Sequence, residues 1–229
     1  MLKLLYILGC YLYGSLPVTE ALARKKGADL RKEGTGKVGA GNLWQTSGAV
    51  DGIIGGVFDM GKGALPAMVA GGLGLGRGIG CAGSVAGLIA QMWPVFKKFD
   101  GGRGNSAAIG LVLALSPKSL LMAMIPMLAG GAIWSLPIMM RNDLTWKQRM
   151  KFPSKNSDEI PLGMLAGWLG MPIFAWLMNE PKSVVRALMA MAVVLLVRRI
   201  TGGLSDDIAA GKDLKRTVRN KALYDRVAR

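Results

Sequence analysis

Histidine is missing from all 229 residues. Its absence excludes a histidine general base, a Ser-His-Asp triad and any histidine-ligated metal site. Cysteine is scarce, and Cys10 and Cys81 both lie inside apolar runs. Two cysteines cannot build a cysteine metal cluster and imply no disulfide framework, so they read as small core residues. No metal and no cofactor is expected. Acidic side chains are also few, 14 against 29 lysines and arginines, for a formal charge of +15. Such a charge can mark a nucleic-acid binder. Here the basic residues are confined to the stretches between apolar runs, so a membrane accounts for them and no nucleic acid is needed.

What the chain does have is apolar length and glycine: 51% hydrophobic residues and 33 glycines. That combination suits a helical membrane protein in which small residues let helices approach closely. The length fits one compact bundle. A spanning helix takes about 20 mostly apolar residues. On that measure the fold class is an all-α integral membrane protein with about seven transmembrane helices, at 1–23, 47–70, 79–96, 105–116, 119–140, 160–178 and 182–197. The first is a retained span and not a signal peptide, because it runs without a cleavage pattern into Arg24-Lys25-Lys26. The fourth is short, so it is tilted, partly re-entrant or supported by neighbours. Pro117 breaks the chain after it, and Pro126 and Pro137 are expected kinks. Gly48, Gly52 and Gly56, and then Gly83 and Gly87, fall four apart as stripes for helix packing. Polar loops fall at 24–46, 97–104 and 141–159, the last with a short interfacial helix around Trp146. Residues 1–200 form the membrane domain and 201–229 a polar, basic tail.

The three loops and everything from Arg198 onward hold six, three, five and nine basic residues, 23 of the 29. By the positive-inside rule the N-terminus lies outside and the C-terminus in the cytoplasm. The cationic face would also favour anionic lipid headgroups.

Two loops carry the chemistry. Gly34-Thr35-Gly36-Lys37-Val38-Gly39-Ala40-Gly41-Asn42 holds four glycines with a hydroxyl, a cation and a carboxamide, and Phe99-Asp100-Gly101-Gly102-Arg103-Gly104-Asn105-Ser106 has the same character. Neither has P-loop spacing. An even number of spans separates them, so they share one membrane face. Free backbone N–H groups in such turns make anion sites, and helix starts expected at 47 and 105 would add favourable partial charge. Asp51, Asp59 and Lys62 are ionisable groups at membrane depth, which makes them functional candidates. Asp59 and Lys62, three apart, could equally neutralise each other.

Taken together these pieces resemble the bacterial membrane acyl-phosphate:glycerol-3-phosphate acyltransferase family. The likeness rests on Gly14-Ser15-Leu16-Pro17, on Asp29 through Asn42, on Asp59-Met60-Gly61-Lys62-Gly63 and on Trp93 through Gly104, in that order. It covers roughly the first half of the chain; beyond residue 110 it rests on hydropathy. The resemblance implies transfer of an acyl group from acyl-phosphate to glycerol 3-phosphate, giving lysophosphatidic acid and phosphate without metal, at the bacterial inner membrane. It implies catalytic roles for Thr35 and Arg103. It implies substrate binding by Gly36, Lys37, Gly39, Asn42, Gln45, Gly101, Gly102 and Gly104.

The chain departs from the family pattern at several positions. Thr35 stands for a serine, Lys37 for an asparagine, Gly41 for a threonine, Gln45 for an arginine, Gln91 for a histidine and Arg103 for a lysine. The third family motif, with its histidine and asparagine, is not recognisable in Arg198 to Asp207. Those losses motivate a competing reading, a non-catalytic relative that binds phosphorylated lipid or headgroup. A transporter is less well supported, since the halves show no repeat and the polar residues gather at one face.

Overall fold

A computed structural model describes residues 1–140, 143 and 159–225. Helices α1 (Leu2–Gly14) and α2 (Val18–Lys25) together form one 24-residue apolar rod, interrupted at Ser15-Leu16-Pro17. The expected single helix over 1–23 is therefore two. Pro17 has no N–H to continue α1, and the Ser15 hydroxyl turns back to the Tyr11 carbonyl at 2.9 Å. Helix α3 (Ala40–Ser47) leads directly into α4 (Ala49–Gly72), and α5 (Arg77–Met92) follows. Then come α6 (Asn105–Leu115), α7 (Pro117–Met139), α8 (Glu159–Leu177) and α9 (Lys182–Thr201). The tail forms α10 (Leu204–Ala209) and α11 (Leu214–Tyr224).

Four stretches are long and apolar enough to cross a membrane among the described residues: Leu2–Lys25, Ala49–Gly72, Arg77–Lys97 and Pro117–Pro137. Helix α6 is an eleven-residue helix, about 16 Å long, roughly half a bilayer core. It is supported by neighbours, with Ala107, Ala108, Gly110, Leu111 and Val112 all buried. Helix α9 has 20 residues but carries Lys182, Arg186, Arg198 and Arg199. Pro117 does not merely end α6; it opens α7, where its missing N–H costs nothing. The expected interfacial helix around Trp146, with most of the loop at 141–159, lies outside the described residues.

Close crossings explain the glycines. A side chain at Gly110 would land on the Met60 carbonyl, and one at Gly63 on the Ala107 carbonyl, so α4 and α6 pack backbone to backbone. Gly87 meets the Lys62 carbonyl in the same way, and a Cβ at Gly52 would lie 2.7 Å from that of Trp44. Gly48 does not belong to the expected stripe: it is the joint between α3 and α4, with open space around it. The core joins α5, α6, α8 and α9 through Leu88, Met92, Leu111, Met171, Leu188 and Met191. Leu5, Leu8, Ile53, Val57, Leu121, Ile125 and Leu128 stay exposed on the outer faces of α1, α4 and α7, as lipid-facing side chains would.

The tail is not a free polar extension. Lys221 is 3% exposed and Thr217 1%. The Lys221 ammonium donates to the Gly202 carbonyl at 2.7 Å and pairs with Asp207 at 2.7 Å. Asp207 also holds Lys212 at 2.7 Å. Burial works against the Asp207 charge, but the two lysines outweigh it and hold its carboxyl below the usual range. Asp213 caps α11 by accepting the Arg216 N–H at 2.6 Å.

Candidate functional site

The first glycine loop is built around one side chain. Asn42 sits in the first turn of α3, 3% exposed. Its carbonyl oxygen accepts the Thr35 N–H at 2.8 Å, and its amide donates to the Leu30 and Glu33 carbonyls at 2.8 and 3.1 Å. Gly34, at φ +59°, passes so close to this carboxamide that a Cβ would overlap it. Asn42 therefore shapes the loop and has little left to offer a ligand. The helix expected from 47 begins at Ala49 as α4, and an additional short helix, α3, starts ahead of it at Ala40, because Gly39 and the Asn42 clamp end the loop early. The N–H groups of Gly39, Ala40 and Gly41 have no carbonyl partner among the described residues, as expected at a helix start. The Gly36 N–H is taken by Glu33 at 3.0 Å.

The second loop is stitched from both sides. The Gly101 and Gly102 N–H groups donate to Met92 and Gln91 carbonyls at 3.1 and 3.0 Å. Their own carbonyls accept from Arg198, at 2.6 Å for Gly101 and 3.1 Å for Gly102. Arg198 also binds Asp100 at 3.1 Å and stacks 5.6 Å from the Trp93 ring. These glycine amides thus serve the loop itself. Gly104 takes a left-handed turn, φ +81°, against Met92 and starts α6. Arg31 ties this loop to the first, reaching Asp100 at 2.6 Å and Glu20 at 2.9 Å.

Between the loops lies a cavity of about 360 Å³, within the size range of small-molecule sites. Thr35, Lys37, Gly39, Asn42, Gln45, Arg103 and Gly104 line it, so seven of the ten residues expected to form the site converge there. Gly36 is outside the lining, and Gly101 and Gly102 face a second, smaller cavity. The start of α6, at Asn105 and Ser106, opens on the larger cavity opposite the start of α3. Two helix amino ends and three cations, Lys37, Arg103 and Arg199, therefore face one space. The opposite wall is apolar: Met164, Leu165, Trp168 and Leu169 from α8, and Ala192, Leu195 and Leu196 from α9.

One carboxylate enters this cavity. Asp225, at the end of α11, forms an ion pair with Lys37 and lies 3.4 Å from Arg103. The Lys37 ammonium also donates to the Asp225 main-chain carbonyl at 3.0 Å. Burial pushes the Lys37 ammonium below the ordinary lysine value, with Asp225 pulling partly the other way. Arg103 additionally donates to the Arg198 and Arg199 carbonyls at 3.2 and 3.3 Å. Arg199, Trp168 and Asp225 were not among the expected site residues. The adjacent arginines at the end of an apolar run were a readable sign for Arg199; Trp168 and Asp225 left none.

Behind the second loop, a small cavity of about 30 Å³ touches Ser15, Thr19, Asp59, Lys62 and Gln91, enough for a water molecule. Lys62 pairs with Asp59 at 2.9 Å, and the Thr19 hydroxyl donates to Asp59 at 2.9 Å. Asp51 pairs with Lys26 at 3.7 Å. The two charges at Asp59 and Lys62 neutralise each other, as their spacing allowed.

Fold and cavity together define a multi-pass helical membrane protein with an amphipathic cleft lined by cations on one wall. Comparison makes this specific. Residues 4–201 match the family model described as glycerol-3-phosphate acyltransferase, and the chain belongs to that family. A glycerol-3-phosphate acyltransferase of Syntrophotalea carbinolica is 30% identical over 84% of this chain and 87% of its own length. One from Desulforamulus reducens is 32% identical over 77% of each. Glycerol-3-phosphate acyltransferase 4 of Dehalococcoides mccartyi is 37% identical, but the match spans about half its length, 53%. The crystal structure of PlsY, an integral membrane glycerol 3-phosphate acyltransferase, in its glycerol 3-phosphate form shares the fold. Its TM-score is 0.69 at 24% identity, over 93% of this chain and 94% of that one.

Proposed function

We propose that this chain transfers an acyl group from acyl-phosphate to the 1-hydroxyl of glycerol 3-phosphate, releasing lysophosphatidic acid and phosphate. The observation that carries the reading is the two-sided cavity: Lys37, Arg103, Arg199 and two helix starts against an apolar wall from α8 and α9. A phosphorylated, water-soluble acceptor and a lipid-soluble donor need such a meeting place. Arg103 and Lys37 would hold phosphate, and Thr35 would orient the acceptor hydroxyl. The N–H groups of Gly39, Ala40 and Gly41 would meet negative charge that develops on the acyl carbonyl or phosphate. Helices α6, α8 and α9 would complete seven membrane helices, with loops and tail facing the cytoplasm of a bacterial inner membrane.

The test is turnover. The protein is purified in lipid with anionic headgroups and supplied with acyl-phosphate and glycerol 3-phosphate, and lysophosphatidic acid is followed by chromatography. A hydrogen bond to a charged group contributes about 1.5–3 kcal/mol. Arg103→Ala should therefore lower kcat/KM roughly 10- to 150-fold. Full activity in Arg103→Ala or Thr35→Ala would refute the assignment. Substrate binding without any product would establish the non-catalytic, headgroup-binding relative instead.

A further inference from the structure

We propose that the tip of the second loop, Phe96 to Phe99, is a foot that inserts into the headgroup region of an anionic bilayer. It lies where the apolar stretch Arg77–Lys97 ends. Phe96 and Phe99 are 55% and 57% exposed, and Val95 and Leu16 nearby are open as well. Neither phenylalanine belongs to the core. Leu8 and Leu12 on the outer face of α1 are exposed to the same degree, as side chains against lipid would be. The tip is held against the end of that helix. The Tyr11 hydroxyl donates to the Trp93 carbonyl at 2.6 Å, and the Val95 N–H donates to the Ser15 hydroxyl at 3.3 Å. The foot needs only the membrane fold, and it stands whether or not the chain transfers an acyl group.

The backbone is bent to present these rings. Lys98 and Phe99 both take left-handed conformations, at φ +52° and +61°, which glycine adopts freely and a side chain with a Cβ resists. Two such residues in a row persist only where their surroundings hold them. Part of that hold is internal: the Lys97 and Phe99 N–H groups donate to the Pro94 carbonyl at 3.1 and 3.0 Å, and the Asp100 N–H to the Lys97 carbonyl at 3.1 Å. Water adds nothing to it, since two phenyl rings are left outside. Lys97 pairs with Glu20 at 2.7 Å, whereas Lys98 is exposed and makes no ion pair with a described residue. Aromatic rings and a free lysine at the end of an apolar span are the composition that settles at a membrane–water interface. The rings sit at headgroup level and the ammonium reaches lipid phosphate. A protein partner would cover the rings but gives no reason for their place at the end of a span. Asp100 follows at once, held by Arg31 and Arg198, so the foot ties the loop that bears Arg103 to the membrane surface.

The experiment is depth-resolved quenching. An environment-sensitive fluorophore is attached to Phe99→Cys, and separately to Phe96→Cys and Lys32→Cys, in the full chain at low density in phosphatidylglycerol vesicles with iodide on both sides. Cys10 and Cys81 are buried and stay unlabelled. Lys32, exposed in the first loop, is the aqueous reference. Labels at Phe96 and Phe99 should emit to the blue of the reference, be quenched by lipids brominated near the headgroup, and resist iodide. Either position decides the question should the other variant fail to fold. Lys98→Glu should open the Phe99 label to iodide in phosphatidylglycerol and leave it unchanged in phosphatidylcholine. Iodide quenching equal to that at Lys32 would overturn the proposal. Shielding from both quenchers would overturn it too, because protein and not lipid then covers the rings. An equal effect of Lys98→Glu in both lipids would overturn the part assigned to anionic headgroups.

Discussion

The Asp59–Lys62 pair offers a sharp test of how the fold tolerates charge. Asp59 is 1% exposed and Lys62 4%. The carboxylate has two partners, Lys62 at 2.9 Å and the Thr19 hydroxyl at 2.9 Å, and Lys62 also lies 5.5 Å from the Phe58 ring. Asp59→Ala leaves a buried ammonium without its counter-ion. Breaking a buried pair in this way costs about 3–5 kcal/mol. For a chain of this size each kcal/mol moves Tm by roughly 2–4 °C, so the midpoint should fall about 6–20 °C. Replacing both partners, as Asp59→Leu with Lys62→Met, removes both desolvation penalties. It should recover most of the loss, because apolar substitutes for a buried pair are often neutral or better. Tryptophan fluorescence on heating in detergent would follow the wild type, Asp59→Ala, Asp59→Leu, Lys62→Met and the double variant. If Asp59→Ala melts within 2 °C (roughly 1 kcal/mol) of the wild type, or if the double variant is as unstable as the sum of the single ones, the mutual-neutralisation argument is wrong. The pair would then belong to the chemistry.

Two further outcomes follow from the geometry. Gly110→Leu drives a side chain into the Met60 backbone; overpacking of that kind costs about 1–3 kcal/mol or more, so Tm should drop while Gly9→Ala, with open space around it, leaves it unchanged. Lys37 holds its proton less tightly than a free lysine. Between its folded value and the ordinary value the unfolded chain binds more protons, so stability rises with pH across that window. Activity moves the other way: kcat/KM for glycerol 3-phosphate should decline at a pH below the ordinary lysine value as the cation is lost. Lys37→Arg, charged throughout, should push that decline upward, and an unmoved alkaline limb would remove Lys37 from phosphate binding.

The parts of this molecule that could be read early are those written in local pattern. Apolar length gave the helices, and Gly34 to Asn42 and Phe99 to Ser106 gave the two loops that do meet. Local pattern also misled within a few residues. Asn42 looked like a donor for substrate, but an amide with three backbone neighbours in reach is satisfied by them first. Gly101 and Gly102 looked like a phosphate cradle, yet their N–H groups close the turn onto Met92 and Gln91. Glycine spacing cannot say whether an amide points out or back. Helix α3 falls inside the stretch expected as loop, because polar composition masks a short helix that packs against α4 through Gly52 and Trp44.

Asp225 marks a different boundary. It lies 188 residues from Lys37, in a stretch whose composition says only polar and basic. Its arrival at the cavity depends on Asp207, Lys212 and Lys221 pairing correctly and on Arg199 reaching two tail carbonyls. None of those contacts has a local signature. The electrostatics nevertheless make the arrangement sensible. Three cations and two helix starts around one cavity repel each other unless an anion is present, and a charge pair at about 4 Å is worth on the order of 4 kcal/mol near a protein surface. A tail carboxylate steadies the cluster, yet it is a single charge held by one arm. In the proposed reaction a phosphate dianion is the stronger ligand. The cations that hold the tail carboxylate in the free site are the same ones that would draw a phosphate dianion to it, and the dianion has to outcompete the tail for them.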